Sequence, residues 1–90
     1  MLEGVKKSLR ISTFAFDDEI TELIESAKLD LKIAGIRVSD SPDLLIKQAI
    51  KIYCKANFGY DNPEADRFND SYVRLKQHLS LAGDYREPLV

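Results

Sequence analysis

The sequence has little cysteine, no long apolar run and no apolar N-terminal leader. Its single cysteine, Cys54, cannot form an internal disulfide or supply a thiol metal cluster, which fits a reducing compartment. The N-terminal segment MLEGVKKSLRIS is too polar for a signal peptide. No apolar run approaches the roughly 20 residues that a membrane helix needs. These absences predict a soluble, intracellular protein that does not contact membranes.

The sequence also lacks a basic surplus. It has 13 Lys and Arg residues against 15 Asp and Glu residues, which gives a formal net charge of -2. A dedicated DNA-binding module usually carries a basic surplus, because neutralising phosphates supplies most of its affinity. Only a local basic patch could serve that purpose here. With 44% hydrophobic and 31% charged residues, the chain is predicted to form one globular domain over residues 1–90.

No set of residues has the spacing of a catalytic or metal site. His78 is the only histidine and has no cysteine or serine at motif spacing, which is typical of a surface or capping residue. Cys54 lies in the most apolar segment, where a cysteine usually acts as a small buried hydrophobe. The carboxylates of 17–25 lack the spacing of a calcium loop, and the four glycines form no phosphate loop. We therefore expect no enzyme activity, no metal and no cofactor.

Hydrophobic periodicity predicts an all-α fold, a small bundle of about four helices. The first helix is expected over 2–9. The second begins at the acidic run 17–19, because negative charge is stabilising at a helix N-terminus, and it ends at Gly35, where a positive φ is expected. A short irregular connection around 35–41 follows, with an extended stretch at 36–38.

The last two helices have similar start signals. Ser41 is the predicted N-cap of the third helix, and Pro42 occupies its first position, where the missing N–H has no consequence. This helix is expected to run to about Asn57. The fourth begins at the Asn-Pro-Glu sequence of 62–64 and ends near Gly83.

The third helix is apolar on nearly every side, which is typical of a central, buried helix. One apolar face is widened by four further residues until a single polar stripe is left. The predicted face consists of Leu45, Ala49, Ile52, Tyr53 and Ala56, and the residues that widen it are Leu44, Ile46, Ile50 and Cys54. We therefore expect the third helix to pack among the others.

The polar stripe of the third helix holds Lys47, Lys51 and Lys55, here called the lysine row. Its simplest interpretation is the solvent edge of the helix. A second interpretation pairs it with an acidic strip on the second helix, within one chain or across a subunit boundary. A third, DNA contact, is disfavoured by the acidic balance of the chain. The acidic strip consists of Asp18, Glu22 and Glu25.

Several segments, taken in order, resemble the small head–tail connector, or adaptor, proteins of tailed bacteriophages and prophages. The resemblance covers most of the chain, and it depends on the order and spacing of the segments rather than on one motif. The segments are VKKSLRI at 5–11, DDEI at 17–20, LIESA at 23–27, KQAI at 47–50, FGYDNP at 58–63 and YVRLKQHL at 72–79.

This resemblance implies a structural role in the virion neck, after assembly in the cytoplasm of the bacterial host. Proteins of this family are small helical subunits that form a ring, typically of about twelve copies, beneath the portal protein. The ring joins the DNA-filled head to the tail, meets a downstream tail-completion or stopper protein, and continues the channel through which DNA passes without sequence-specific binding. An acidic subunit suits such a channel, because dense lysine contacts would hold the DNA.

The candidate subunit or partner contacts are the acidic strip, the lysine row and two apolar pairs. Phe14 and Phe16 lie in a polar linker and form either a hydrophobic lid on the bundle or an exposed anchor for a neighbour. Leu89 and Val90 end a predicted flexible tail over 83–90, which could become ordered on a partner.

A small helical DNA-binding regulator is the alternative function. The second helix, Gly35 and the third helix could form a helix-turn-helix. However, the connection up to Ser41 is longer than the usual turn of roughly 3–4 residues. The third helix is also apolar on most sides, whereas a groove-reading helix must expose polar side chains.

Overall fold

A computed structural model describes residues 1–59 and 62–86 of the chain. The described part contains four α-helices, a short 3-10 turn and no strand, which confirms the all-α bundle. The helices are α1 (Leu2–Leu9), α2 (Asp17–Ile33), α3 (Leu44–Asn57) and α4 (Ala65–Leu81), and the 3-10 turn is Gly83–Tyr85. Helix α3 packs against α1, α2 and α4, so it is the central helix, as its composition predicts.

Glycines end two of the helices. Gly35 follows α2 with a φ of 84°, and Gly59 follows α3 with a φ of 86°, a region that is costly for residues with a Cβ. The predicted stop at Gly35 is therefore confirmed. Helix α1 ends differently, because Arg10 takes the left-handed conformation with a φ of 59°.

The start of α3 differs from the prediction. Its N-cap is Asp43 rather than Ser41, and the Asp43 carboxylate accepts a hydrogen bond of 3.1 Å from the Ile46 N–H. The helix therefore begins at Leu44, and Pro42 precedes the cap instead of opening the helix. An aspartate three residues before a free amide satisfies that amide directly, so the nearer capping side chain sets the boundary.

The core is formed by one side of each helix. Helix α2 contributes one face, α3 contributes another, and α1 and α4 add three residues. The buried hydrophobic residues on these helices are Val5, Ile20, Ile24, Ala27, Leu31, Ile46, Ala49, Ile50, Cys54, Tyr72 and Leu79.

The buried face of α3 agrees only in part with the predicted one. Ala49 is buried and Ile52 and Tyr53 pack on the core, but the two leucines at the start of the helix do not. Leu45, which was expected to lead that face, is 44% exposed, and Leu44 is 77% exposed. The side that the neighbouring helices cover is centred on Ile46, Ala49 and Ile50 instead. A helix that is apolar nearly all round has no periodicity that selects one side, so the selection comes from the packing of α1, α2 and α4 around it.

The α2–α3 connection is held by the end of the described chain. Ile36 is fully buried and forms an isolated antiparallel bridge with Arg86, and the Arg37 N–H donates to the Tyr85 carbonyl at 2.6 Å. This agrees with the extended stretch predicted at 36–38. The bridge and the hydrogen bond hold Tyr85 and Arg86, which belong to the segment 83–90 that the sequence predicts as a flexible tail. The flexibility of that segment stays a prediction.

Candidate functional site

The acidic strip lies on the outward face of α2. Asp18, Glu22 and Glu25 are all exposed. Each residue turns a helix by about 100°, so positions 18, 22, 25, 29 and 33 share one side, and the buried residues of α2 lie on the opposite side. Within the described chain, the one ion pair of the strip joins Glu25 to Lys28 of the same helix at 3.6 Å.

The same outward face of α2 becomes apolar in its second half. Leu29 is 60% exposed and Ile33 is 77% exposed. Exposed single apolar residues are common on protein surfaces, but two successive ones on a helix face that continues a charged strip form an amphipathic surface. Neither residue was among the candidate contacts that the sequence predicted.

The lysine row is only partly open to solvent. Lys47 is exposed, whereas Lys51 and Lys55 are half-buried. A methyl group placed on Gly4 of α1 would lie 3.5 Å from the Lys51 Cε atom, so that side chain runs along α1. The Lys55 Nζ atom lies 5.5 Å from the centre of the Phe68 ring at the start of α4. The solvent-edge interpretation therefore holds for Lys47, while the other two lysines also pack on neighbouring helices.

The two charged surfaces do not pair within one chain. Among the described residues, no ion pair joins the acidic strip to the lysine row. The second sequence-based interpretation therefore keeps only its form across a subunit boundary, which stays a prediction.

Phe14 and Phe16 have different surroundings. Phe14 is 81% exposed, with the Lys6 Nζ atom 4.8 Å from its ring centre. Phe16 is 43% exposed and packs edge-to-face on Phe58, with 5.5 Å between the ring centres. Phe16 thus has part of the lid geometry, whereas most of Phe14 is available to a neighbour. The other predicted apolar pair, Leu89 and Val90, lies outside the described residues.

A buried lysine is a feature that the sequence reasoning missed. The Lys6 side chain is 4% exposed, and its Nζ atom lies 2.9 Å from the Asp17 carboxylate at the start of α2. A signal was present, because Lys6 is four residues after Leu2 and three before Leu9, on the apolar side of α1. The ion pair fixes the path of the linker that carries Phe14.

A second polar cluster joins α2 to α4. The Asp30 carboxylate accepts hydrogen bonds from the Tyr72 hydroxyl at 2.5 Å and from the Lys76 Nζ at 3.0 Å. Partial burial alone would raise the pKa of Asp30, but these two donors outweigh it and lower the pKa. Burial, followed by the bond to Asp30, raises the pKa of Tyr72. The lowered pKa keeps Asp30 ionised as the acceptor, and the raised pKa keeps Tyr72 protonated as the donor of this hydrogen bond.

The remaining titratable candidates from the sequence are Cys54 and His78. Burial raises the pKa of the Cys54 thiol to about 12, so the reactive thiolate is suppressed. His78 is exposed on α4. The described residues contain no cluster of three or more His, Cys, Asp or Glu side chains that could hold a metal ion. None of their helices is long and apolar enough to span a membrane.

Two clefts open on the surface. One, of about 340 Å³, lies where α1 and α3 end and α4 begins, beside Arg10, Lys55 and Glu64. The other, of about 160 Å³, lies beside Arg37, Asp43 and Tyr85. The Tyr85 hydroxyl and then the Ile46 amide lower the pKa of Asp43 by hydrogen bonding.

The geometry also bears on the DNA-binding alternative. The connection between α2 and α3 runs from Ala34 to Asp43, which is far longer than a helix-turn-helix turn. The outward side of α3 begins with Leu44, which is unsuited to reading base edges.

These observations define a class: a small helical bundle whose outward faces carry separate acidic, basic and apolar residues. The family model of the phage connector protein matches residues 1–86. The chain therefore belongs to the phage connector protein family, and the resemblance inferred from its ordered segments is confirmed. It is a structural connector protein of a bacteriophage neck. Comparison with curated proteins and with solved structures gave no match.

Proposed function

We propose that this protein forms a closed ring beneath the portal, joins the DNA-filled head to the tail and continues the DNA channel. Family membership over residues 1–86 is the observation that carries the proposal. A ring of about twelve copies would build on head-to-tail contacts, in which two different surfaces of one chain meet.

The surfaces of the chain support an assembly of this kind. One helix exposes the acidic strip and another exposes the start of the lysine row, and the two do not pair within the chain. Opposite charges on separate faces favour contact between copies and set its register. The proposed contacts are therefore the acidic strip, the lysine row, Phe14 and Phe16, with Leu89 and Val90 at the end of the chain.

The proposed partners are the portal protein on one side and a tail-completion or stopper protein on the other. DNA would pass through the ring without sequence-specific binding. The net charge of -2 supports this, because an acidic subunit holds a polyanion weakly and lets it slide.

Native mass over a range of protein and salt concentrations tests the proposal, first for the chain alone and then with its portal ring. We expect one closed species of about a dozen copies, weakened by salt because exposed charge pairs are screened. A chain that stays monomeric both alone and with portal rings would contradict the proposal. A stable dimer that binds duplex DNA would favour the regulator instead.

A further inference from the structure

We infer that the outward face of α2 in one copy packs antiparallel against the outward face of α3 in the next copy, with Leu29 against Leu44 and the acidic strip against the lysine row. The inference rests on the proposed ring and names its subunit contact. A second copy of this chain is therefore the partner of both faces.

The outward face of α2 has a fixed order of chemistry. From the apolar end toward the N-terminus, its exposed residues after Leu29 are acidic. They are Glu25, Glu22 and Asp18, which lie 4, 7 and 11 positions from Leu29. At a rise of 1.5 Å per residue, Asp18 lies about 16 Å along the helix from Leu29, and the acidic strip itself covers about 10 Å.

The outward face of α3 has the complementary order with nearly the same spacing. From the exposed Leu44 toward the C-terminus, this side carries the exposed Lys47 and then the half-buried Lys51 and Lys55, which lie 3, 7 and 11 positions from Leu44. The uncharged Gln48 is exposed beside Lys47. With Leu29 beside Leu44, antiparallel helices therefore bring Glu25 beside the exposed Lys47. Glu22 and Asp18 fall at the levels of Lys51 and Lys55, whose side chains also pack on α1 and α4.

The other arrangements of these helices are electrostatically poorer. Parallel packing of α2 on α3 would place the apolar end of each helix against the charged end of the other. Packing of α2 on α2 would place carboxylates beside carboxylates or beside leucines. Since like charges in contact are unfavourable and unpaired charges lose hydration, the α2–α3 pairing is the one that satisfies both faces.

The apolar ends of the two faces supply the apolar area that a stable contact must bury. Leu29 is 60% exposed, Ile33 is 77% exposed and Leu44 is 77% exposed, so each would gain from burial. Charge pairs near a surface contribute mainly to register, and buried apolar area supplies most of the affinity. Because the two faces differ, each copy can bind one neighbour through α2 and another through α3, as a ring requires.

Disulfide trapping between two tagged variants tests the contact. A chain with Leu29→Cys is mixed with a chain with Leu44→Cys under mild oxidation, and the tags separate mixed from homodimeric products by mass. The buried Cys54, with its raised pKa, gives little background. We expect the mixed disulfide to exceed both homodimers several-fold.

The matched control replaces a different exposed leucine. Leu81 is 80% exposed at the end of α4, outside both faces, so Leu81→Cys mixed with Leu29→Cys should give only the background yield. Equal yields in the two mixtures would overturn the inference, and a dominant Leu29→Cys homodimer would overturn it in favour of α2–α2 pairing.

Charge reversal tests the register. Glu22→Lys with Glu25→Lys, or Lys47→Glu with Lys51→Glu, should raise the concentration for half-assembly about ten-fold. The four changes together should recover most of that loss. Asp70→Lys with Arg74→Glu reverses two exposed charges on α4 and should leave assembly unchanged. A fourfold variant as weak as the double variants would overturn the register.

The two proposals fail in different ways. A closed ring by native mass without the mixed disulfide would refute the α2–α3 contact and leave the ring intact. The mixed disulfide in a chain that never closes, alone or with portal, would support the contact and refute the ring.

Discussion

An ion pair ties each end of α2 to a neighbouring helix, and the two ion pairs differ in their surroundings. At the N-terminal end, Lys6 and Asp17 lie 2.9 Å apart with side chains 4% and 27% exposed. At the C-terminal end, Lys76 and Asp30 lie 3.0 Å apart with side chains 26% and 37% exposed. The distances are alike, so burial and hydrogen bonding distinguish the two.

Hydrogen bonding is complete at one end only. Asp30 accepts hydrogen bonds from both Tyr72 and Lys76. The buried Asp17 Oδ1 atom has no hydrogen-bond partner among the described residues, although the Lys6 Nζ atom lies 2.9 Å from it as an ion-pair partner. The Asp30 cluster is thus stabilised by several hydrogen bonds, whereas the Lys6–Asp17 pair depends on one buried charge.

The largest effect is expected at the N-terminal pair. Lys6→Ala removes a buried charge and leaves the Asp17 carboxylate without its partner, so we expect a loss of about 2–3 kcal/mol in the free energy of unfolding. Urea denaturation measures it. Lys7→Ala changes the neighbouring, exposed lysine and should cost less than about 0.5 kcal/mol. Equal losses for the two variants would show that burial of Lys6 carries no extra stability.

A smaller effect is expected at the C-terminal cluster. Tyr72→Phe keeps the ring but removes the hydroxyl that donates to Asp30, so we expect a loss of about 1–1.5 kcal/mol. Tyr53→Phe is the control, because the Tyr53 ring packs edge-to-face on Tyr72 and its hydroxyl makes no hydrogen bond among the described residues. If both variants unfold at the same urea concentration, the hydrogen bond to Asp30 contributes nothing net.

Alkaline pH is expected to lower the stability contributed by the C-terminal cluster. Burial and Asp30 raise the folded-state pKa of Tyr72 above the ordinary value of 10.0. A raised pKa gives stability that is complete below the unfolded-state pKa and is lost as pH rises above it. We therefore expect the wild type to lose about 1 kcal/mol more than Tyr72→Phe between pH 9 and about pH 11, by urea unfolding at each pH. Parallel losses in the two proteins would contradict this.

The smallest effects are expected in the linker near the Lys6 pair. Phe16→Ser removes an edge contact with Phe58 and should cost about 1 kcal/mol. Phe14→Ser, at an 81% exposed position, should cost less than about 0.5 kcal/mol. Thermal unfolding compares the two, and native mass then shows whether Phe14→Ser weakens assembly while the fold is kept. A larger stability loss for Phe14→Ser would reverse the assignment of lid and anchor.

The two ends of α2 also differ in how well the sequence predicted them. The acidic start at Asp17 and the stop at Gly35 were predicted from charge at a helix N-terminus and from glycine's tolerance of positive φ. The partners of Asp17 and Asp30 were not, because Lys6 and Tyr72 belong to other helices. Spacing along one helix carries no information on which residue of another helix it will meet.

The outward faces of α2 and α3 also differ in how well the sequence predicted them. The pattern of α2 predicted an acidic strip of Asp18, Glu22 and Glu25, and all three residues are exposed. The pattern of α3 predicted an exposed lysine row, yet Lys51 lies along α1 and Lys55 lies over Phe68. Long lysine stems pack on neighbouring apolar surface, so their exposure depends on what stands beside the helix.

The sequence by itself determined the four helices, their approximate ends and the connector family, because periodicity, capping and segment order are local properties of the chain. Only the tertiary structure decided that Asp43 rather than Ser41 caps α3, that Ile46, Ala49 and Ile50 form its buried side, and that Lys6 is buried. Those outcomes depend on competing local caps and on which surfaces neighbouring helices cover. Such a competition is settled by the total packing free energy of the bundle rather than by any one segment.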